Sequence, residues 1–281
     1  MTRVLRLGRL DHPVGTRTLL MGILNVTPDS FSDGGRHAGV EAAVAHARQM
    51  VGEGADIIDV GGESTRPGAT EVGAEEELAR ITPVIPAVAA AVAVPISIDT
   101  YKAAVAERAL SLGATIVNDV WGLQREPEIA RVAAAHGAAV MIMHNRSTVD
   151  ASLDIVDEVR RFFLRSLVIA EKAGIADDRI VLDPGIGFGK TLEQNVELIA
   201  RLPAIRAIGL PVLVGASRKS LIGKLLDQPI GDRLHGTLAT HVLAVAGGAD
   251  IVRIHDVRAH FEACRIADVI SRGDFKGTHA R

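Results

Sequence analysis

Short apolar runs along this chain alternate with longer stretches in which apolar residues recur at helical spacing. The first run, Leu19-Leu20-Met21-Gly22-Ile23-Leu24, turns polar abruptly at Asn25. A continuous apolar run of this kind suits a strand buried on both faces. It opens into a small, polar stretch from Thr27 to Gly35, broken only by the aromatic Phe31. Helical spacing follows over Glu41–Glu53. Ile57-Ile58-Asp59-Val60 then ends in a second glycine-rich loop, Gly61 to Gly68, before a helix predicted over Ala74–Ala91 with the acidic start Glu75-Glu76-Glu77. The pattern repeats to the end of the chain. Strands are predicted at Pro95–Ile98, Thr115–Val117, Ala139–Met143, Ile180–Leu182, Pro211–Val214 and Asp250–Ile254. Helices are predicted at Lys102–Leu112, Glu126–His136, Ile155–Ala173, Leu192–Arg201, Leu221–Leu226, Thr237–Gly247 and Val257–Ile270.

Strand–helix alternation argues for a parallel sheet. Eight such strands, with a helix after each, predict a single-domain α/β fold, a (β/α)8 TIM barrel spanning residues 19–271. A doubly wound open sheet would announce itself by G-x-G-x-x-G after the first strand, and that motif is absent. Residues 1–18 read as an extended preamble with a turn at Asp11-His12-Pro13, and 272–281 as a loose tail.

Composition narrows the class. Apolar residues make up 48% of the chain but aromatics only 3%, so the core must be Ala, Val, Ile and Leu, as in parallel α/β interiors. Lys plus Arg number 31 against 34 for Asp plus Glu, with no basic stripe, which argues against a nucleic-acid partner. The single cysteine, Cys264, excludes an internal disulfide and reads as a small buried hydrophobe. No apolar run approaches the roughly 18 residues of a membrane span, and no leader is evident at the N-terminus, so a cytoplasmic protein without membrane partners is expected.

In a barrel the active site lies at the C-terminal ends of the strands. Here those ends carry Asn25, Asp59, Asp99, Asn118, His144, Asp183, Ser217 with Lys219, and Arg253 with His255. Buried Asp and Lys are rare unless paired, so their convergence on one funnel points to a site. Asp99, Asn118, Asp183 and Lys219 suit a flat heterocycle with donors and acceptors along its edge, because a carboxylate accepts parallel N–H bonds. Asn25, Arg66, Arg253 and His255, with Ser64 and Thr65, suit a phosphate or diphosphate beside glycine-rich loops. Asn25 is a candidate oxygen ligand for Mg²⁺. The stretch Gly185-Ile186-Gly187-Phe188-Gly189-Lys190-Thr191 approaches the P-loop pattern, but the required first glycine is Pro184, so a P-loop is rejected. Lys219 also admits a Schiff-base reading.

Seven segments together resemble the dihydropteroate synthase family: Asn25 to Gly35, Gly61 to Gly68, Ile98-Asp99-Thr100, Val117-Asn118-Asp119, Asp183 to Lys190, Gly215-Ala216-Ser217-Arg218-Lys219 and Arg253-Ile254-His255-Asp256-Val257. The resemblance runs in order from Leu19 to Ile270. It implies condensation of (7,8-dihydropterin-6-yl)methyl diphosphate with 4-aminobenzoate to give 7,8-dihydropteroate and diphosphate. It further implies that Asp99, Asn118, Asp183 and Lys219 bind the pterin, with Met143, Phe188 and Gly215 beside it. Asn25 would hold Mg²⁺ on the diphosphate, while Arg66, Arg253 and His255 clamp its oxygens. Phe31, Pro67, Ser217 and Lys219 would line the 4-aminobenzoate side, Thr65 would be a further substrate-binding residue, Asp33 would join the closed state, and sulfonamides would compete at the 4-aminobenzoate side. A homodimer through the later helices is implied as well. Trp121 and Asn145-Arg146 depart from the family pattern. A pterin-binding methyltransferase domain would share the barrel but need no diphosphate clamp, so Arg66, Arg253 and His255 count against it. A silent pterin-binding paralogue would carry a damaged first or second loop, and both are whole.

Overall fold

The structure, a computed structural model, describes residues 3–26, 35–63 and 71–273. The chain begins with an antiparallel hairpin, β1 (Val4–Leu7) and β2 (Leu10–Pro13). Eight strand–helix units follow: β3 (Leu19–Asn25) with α1 (Gly35–Glu53), β4 (Ile57–Gly61) with α2 (Ala74–Ala91), β5 (Ile96–Asp99) with α3 (Ala103–Ser111), and β6 (Ile116–Asp119) with α4 (Glu128–Ala135). Then come β7 (Ala139–Met143) with α5 (Ile155–Ala173), and β8 (Ile180–Asp183) with α6 (Leu192–Ala200) and α7 (Leu202–Arg206). The last two are β9 (Leu213–Val214) with α8 (Ser220–Leu226) and α9 (Leu234–Ala246), and β10 (Ile251–Ile254) with α10 (Val257–Arg272).

The eight parallel strands run β8-β7-β6-β5-β4-β3-β10-β9. A parallel bridge between Leu182 and Val212 brings β8 against β9 and closes the ring. β9 is shorter than the Pro211–Val214 strand expected. Pro211 has no N–H, and its carbonyl accepts from Leu182 at 2.9 Å as one of the few bonds across the seam.

The period of two along each strand sorts side chains between two cores. Leu20, Leu24, Ile58, Val60, Val117, Val140 and Ile142 face outward and pack under the helices. Leu19, Met21, Ile57, Ile116, Ala139, Met141, Val181, Leu213 and Ile251 face inward and form one apolar layer inside the barrel. Two residues further along, the inward positions become Asp59, Asn118, Met143, Asp183 and Arg253. Strand alternation thus sets a polar upper layer on a dry apolar floor.

The first residues depart from expectation. Asp11-His12-Pro13 is not a turn; it lies inside β2, and the reversal occurs at Gly8-Arg9. Gly8 adopts φ +61°, and a Cβ there would collide with the Thr115 side chain. Leu5 and Leu7 are fully buried against the inner apolar layer, so the hairpin plugs the barrel's N-terminal mouth. The C-terminal boundary also moves. Arg272 is the last residue of α10, pairs with Asp268 at 2.9 Å, and bonds the Ala249 carbonyl. The expected tail from residue 274 onward lies outside the described residues. Among the described residues, no helix is long and apolar enough to cross a membrane.

If the hairpin is part of the core, Leu7→Ala destabilises the whole barrel by about 2–5 kcal/mol through the cavity it leaves. Urea unfolding followed by circular dichroism measures this, and an unchanged midpoint would mean the hairpin is an appendage.

Candidate active site

The upper layer is built on one guanidinium. Arg253, on β10, donates from Nε to Asp59 Oδ2 at 2.6 Å and from Nη2 to Asp99 Oδ2 at 2.7 Å. Asn118 Nδ2 donates to the same Asp59 oxygen at 3.2 Å. Three neighbouring strands and β10 are thereby tied across the barrel's interior. The second oxygens, Asp59 Oδ1 and Asp99 Oδ1, are buried and accept nothing from the described residues. Burial pushes the Asp99 carboxyl up to about 7 against the opposing pull of Arg253, and nearby Asp59 pushes it the same way. Burial raises Asp183 too, with Lys219 the chief opposing charge; its Oδ1 accepts from Gly185 N–H at 2.7 Å.

Lys219 follows β9 and crosses to the loop after β8. Its Nζ donates to the Ile186 carbonyl and sits 4.4 Å from the centroid of the Phe188 ring. Gly187, at φ +88°, lets it do so, since a Cβ there would lie 3.1 Å from Lys219 Cδ. Desolvation of the ammonium lowers the Lys219 pKa to about 8, despite the nearby Asp183 and Asp99. Gly215 lies between Arg253 and Asp183: a Cβ there would lie 3.6 Å from Arg253 Cβ and 4.0 Å from Asp183 Oδ2. Met143 and Phe188 join Tyr101 and Val120 in a small apolar cluster, with Trp121 packed against it. That gives the polar layer one flat, greasy wall.

At the rim, Ser217 Oγ and His255 Nδ1 are 2.9 Å apart, and Arg218 forks onto Asp256 with Nε 3.0 Å from Oδ2. Asn25 ends β3 with its side chain exposed, and its Oδ1 lies 3.7 Å from where a Gly61 Cβ would be, with Asp99 Cβ at 3.8 Å. The register explains the neighbourhood, for Asn25, Gly61, Asp99 and Asn118 are successive partners across β3 to β6.

Asp99, Asn118, Asp183, Lys219, Arg253, Ser217, His255, Met143, Phe188, Gly215 and Asn25 therefore all come to the C-terminal mouth. The division into heterocycle and anion sets is not kept by Arg253, whose guanidinium bonds the carboxylate set. Phe31, Asp33, Ser64, Thr65, Arg66 and Pro67 lie outside the described residues.

Lys190 and Lys102 build the site without having been expected there, and Asp59, expected among the strand-end residues, has a partner that its own stretch of chain does not indicate. Asp59 was legible as an inward position two residues after Ile57, but its partner Arg253 is distant in sequence. Lys190 spends its charge on backbone. Its Nζ donates to the carbonyls of Gly185 at 2.7 Å and Phe188 at 2.9 Å, with His144 O at 3.4 Å, which locks the loop and fits the rejection of a P-loop. Lys102 bridges Glu63 at 2.5 Å and the fully buried Glu77 at 2.6 Å, and Glu63 also accepts from Val72 N–H at 3.0 Å. Those bonds grip both ends of the second glycine-rich loop. His144 lies beneath the mouth with its ring edge-on to Phe162, and burial lowers its pKa to about 2, so it stays neutral.

Residues 21–255 match the family described as pterin binding enzyme. The chain is 45% identical over 269 residues to the dihydropteroate synthase of Clostridium beijerinckii, covering 95% of this chain and 100% of that one. Among solved structures, it resembles the dihydropteroate synthase of Clostridium difficile determined in the presence of pteroic acid, with TM-score 0.90, 51% identity, and 92% and 98% of the two chains covered. The Xanthomonas albilineans enzyme with 4-aminobenzoic acid gives TM-score 0.90 and 44% identity over 96% of this chain and 98% of that one.

Arg253→Met would strand two buried carboxylates. It should destabilise the fold by about 3–5 kcal/mol at pH 8, the usual cost of breaking a buried pair. The loss should be smaller at pH 5. Removing the opposing cation raises the Asp99 pKa further, so below about 7 the group is neutral and needs no partner. Denaturant unfolding at the two pH values tests this, and equal losses would show that Arg253 does not compensate the carboxylates.

Proposed function

The chain belongs to the dihydropteroate synthase family of pterin-binding enzymes, and we propose that it joins 4-aminobenzoate to (7,8-dihydropterin-6-yl)methyl diphosphate. The products are 7,8-dihydropteroate and diphosphate. The observation that carries this reading is the pair of buried carboxylate oxygens, on Asp59 and Asp99, that accept no hydrogen bond from the described residues. With Asp183 and Asn118 they offer acceptors to the amino and ring N–H groups of a pterin edge. Met143 and Phe188 supply a flat face for its ring. The relatives' structures, one determined in the presence of pteroic acid and one with 4-aminobenzoic acid, support the same two substrate classes.

The chemistry follows from where charge develops. The bond from the methylene carbon to the diphosphate oxygen breaks, and its electron pair leaves with diphosphate. The carbon is left cationic and conjugated with the pterin. Asp99 and its neighbours stabilise that positive charge, while His255 and Ser217 at the rim receive the leaving group. The arylamine lone pair then forms the C–N bond, and the proton released from nitrogen passes to the departing diphosphate or to water. Held at contact distance, the amine needs no dedicated base. Arg66 would add a cation on the diphosphate, and Asp33, Phe31, Thr65 and Pro67 belong to the loops expected to cover the 4-aminobenzoate side and exclude water.

Among the described residues, no three His, Cys, Asp or Glu side chains gather to cage a metal. Asn25 does fit Mg²⁺, which keeps most of its waters and leans on substrate phosphates, so one neutral amide oxygen suffices. Bound there, Mg²⁺ would supply neutralising charge to the diphosphate. A homodimer is also proposed, through α9 and α10, whose Leu243, Ile266 and Ile270 are 63%, 65% and 79% exposed. Sedimentation velocity reads that state, and a monomer at micromolar concentration would reject it. Sulfonamides are expected to raise the KM for 4-aminobenzoate without lowering the maximal rate.

Incubation with the dihydropterin diphosphate and Mg²⁺ tests the activity directly. Dihydropteroate and diphosphate should appear in equal amounts, and only when 4-aminobenzoate is present; tight pterin binding with no turnover would overturn the assignment. The pH profile gives a second check. The Lys219 ammonium is present below about 8 and lost above it, so kcat/KM should fall as pH rises through that value. Lys219→Arg, which stays cationic, should lower activity but abolish that alkaline limb.

A further inference from the structure

Behind the wall that carries Ser217 and His255 stand two histidines that this chemistry does not use. His241, on α9, and His260, on α10, are both 0% exposed, with ring centroids 5.0 Å apart. They form a continuous series of hydrogen bonds. Ala216 N–H donates to His241 Nε2 at 3.0 Å. A backbone N–H only donates, so this Nε2 is bare and the neutral ring holds its proton on Nδ1. That Nδ1 lies 2.9 Å from His260 Nε2, which is therefore the acceptor. His260 keeps its own proton on Nδ1, 2.7 Å from the Asp256 carbonyl oxygen. The first donor fixes the direction of every bond that follows.

The ends of this series are informative. Ala216 immediately precedes Ser217, and Asp256 immediately follows His255. Ser217 Oγ and His255 Nδ1 meet at 2.9 Å on the other side of the same wall. The two imidazoles and the Ser217–His255 contact thus close a ring through the backbone of both loops. The Arg218–Asp256 ion pair spans the same gap.

We propose that His241 and His260 are positioning residues, a neutral two-imidazole strut that sets the spacing between the Ser217 and His255 loops at the anion-binding edge. The proposal rests on the substrate-binding role given above to Ser217 and His255. The charged groups acting on the strut are Lys219 from the loop after β9 and Asp256 from the turn before α10, the latter paired with Arg218. Burial, His260 and Lys219 keep His241 well below its ordinary pKa; burial lowers His260, with Asp256 opposing. A protonated His241 would turn a second donor toward the Ala216 N–H, so the strut exists in one protonation state only.

Two measurements on the full chain decide it. Long-range ¹H–¹⁵N spectra of the imidazoles should show both rings as the Nδ1–H tautomer, the minor form of free neutral histidine, unchanged between about pH 6 and 8. A ring found in the Nε2–H form overturns the strut. Kinetics and thermal unfolding of His241→Gln and His241→Leu separate positioning from packing. Gln keeps an acceptor for Ala216, and its kcat/KM should stay within about threefold of the parent. Leu fills the space without an acceptor and should lose about tenfold, although its Tm equals or exceeds that of Gln. If activity instead follows Tm, the histidines are core filling and the proposal falls. A parent chain that makes no dihydropteroate would overturn the proposed function, and the strut would then stand or fall on its tautomers.

Discussion

One buried guanidinium organises the mouth of this barrel. Arg253 reaches across from β10 to carboxylates on β4 and β5, and without it Asp59 and Asp99 would face each other over an apolar floor. Such an arrangement adds little net stability, because desolvating three charges costs about as much as their attraction returns. What it does is fix geometry. Each carboxylate spends one oxygen on Arg253 and accepts nothing from the described residues on the other, so the acceptors are aimed before any ligand arrives. The site is preorganised by a contact that a ligand need not break.

The opposite wall uses a different device. The loop after β8 is held by backbone contacts to two lysines. Lys190 gathers carbonyls beneath it, and Lys219 lies over it with one donor on Ile186. Gly187 and Phe188 stand between them, one giving room for the Lys219 stem and the other a face for its ammonium. Two lysine side chains from different loops therefore hold the carbonyls of one loop. The Phe188 ring is packed between the Lys219 ammonium and the Tyr101, Val120 and Met143 cluster.

Much of this was legible in the sequence because strand geometry is local. Alternation along Ile57-Ile58-Asp59-Val60, or Ile251-Val252-Arg253-Ile254-His255, states which side chains point inward, and the end of each run states the height. The expected strand-end residues accordingly gather at one mouth, except His144, which follows the inward Met143 by one position and packs on Phe162 instead. What resisted reading depends on partners far away in the chain. That Arg253 serves Asp59 and Asp99 rather than standing apart in an anion set is a contact between elements at opposite ends of the barrel sequence. The turn at Gly8 is dictated by Thr115, whereas Asp11-His12-Pro13 has turn-like composition but sits on an exposed hairpin edge where proline is tolerated. The stretch before Lys190 departs from a P-loop at Pro184, yet the three carbonyl partners of Lys190 appear only once the loop is folded.

The shortness of β9 has a consequence for how rigidity is distributed. A ring of strands is only as continuous as its weakest ladder, and here two residues and a single bridge carry the join to β8. Local opening concentrates where buried ladder bonds are fewest. Ser217 and Lys219 follow that join, and they are seated by the His241 contact to Ala216 and the Lys219 bond to the Ile186 carbonyl rather than by a long ladder. The flank after β9 therefore takes its shape from side-chain and loop contacts, where the flank of β3 to β7 takes it from continuous ladders.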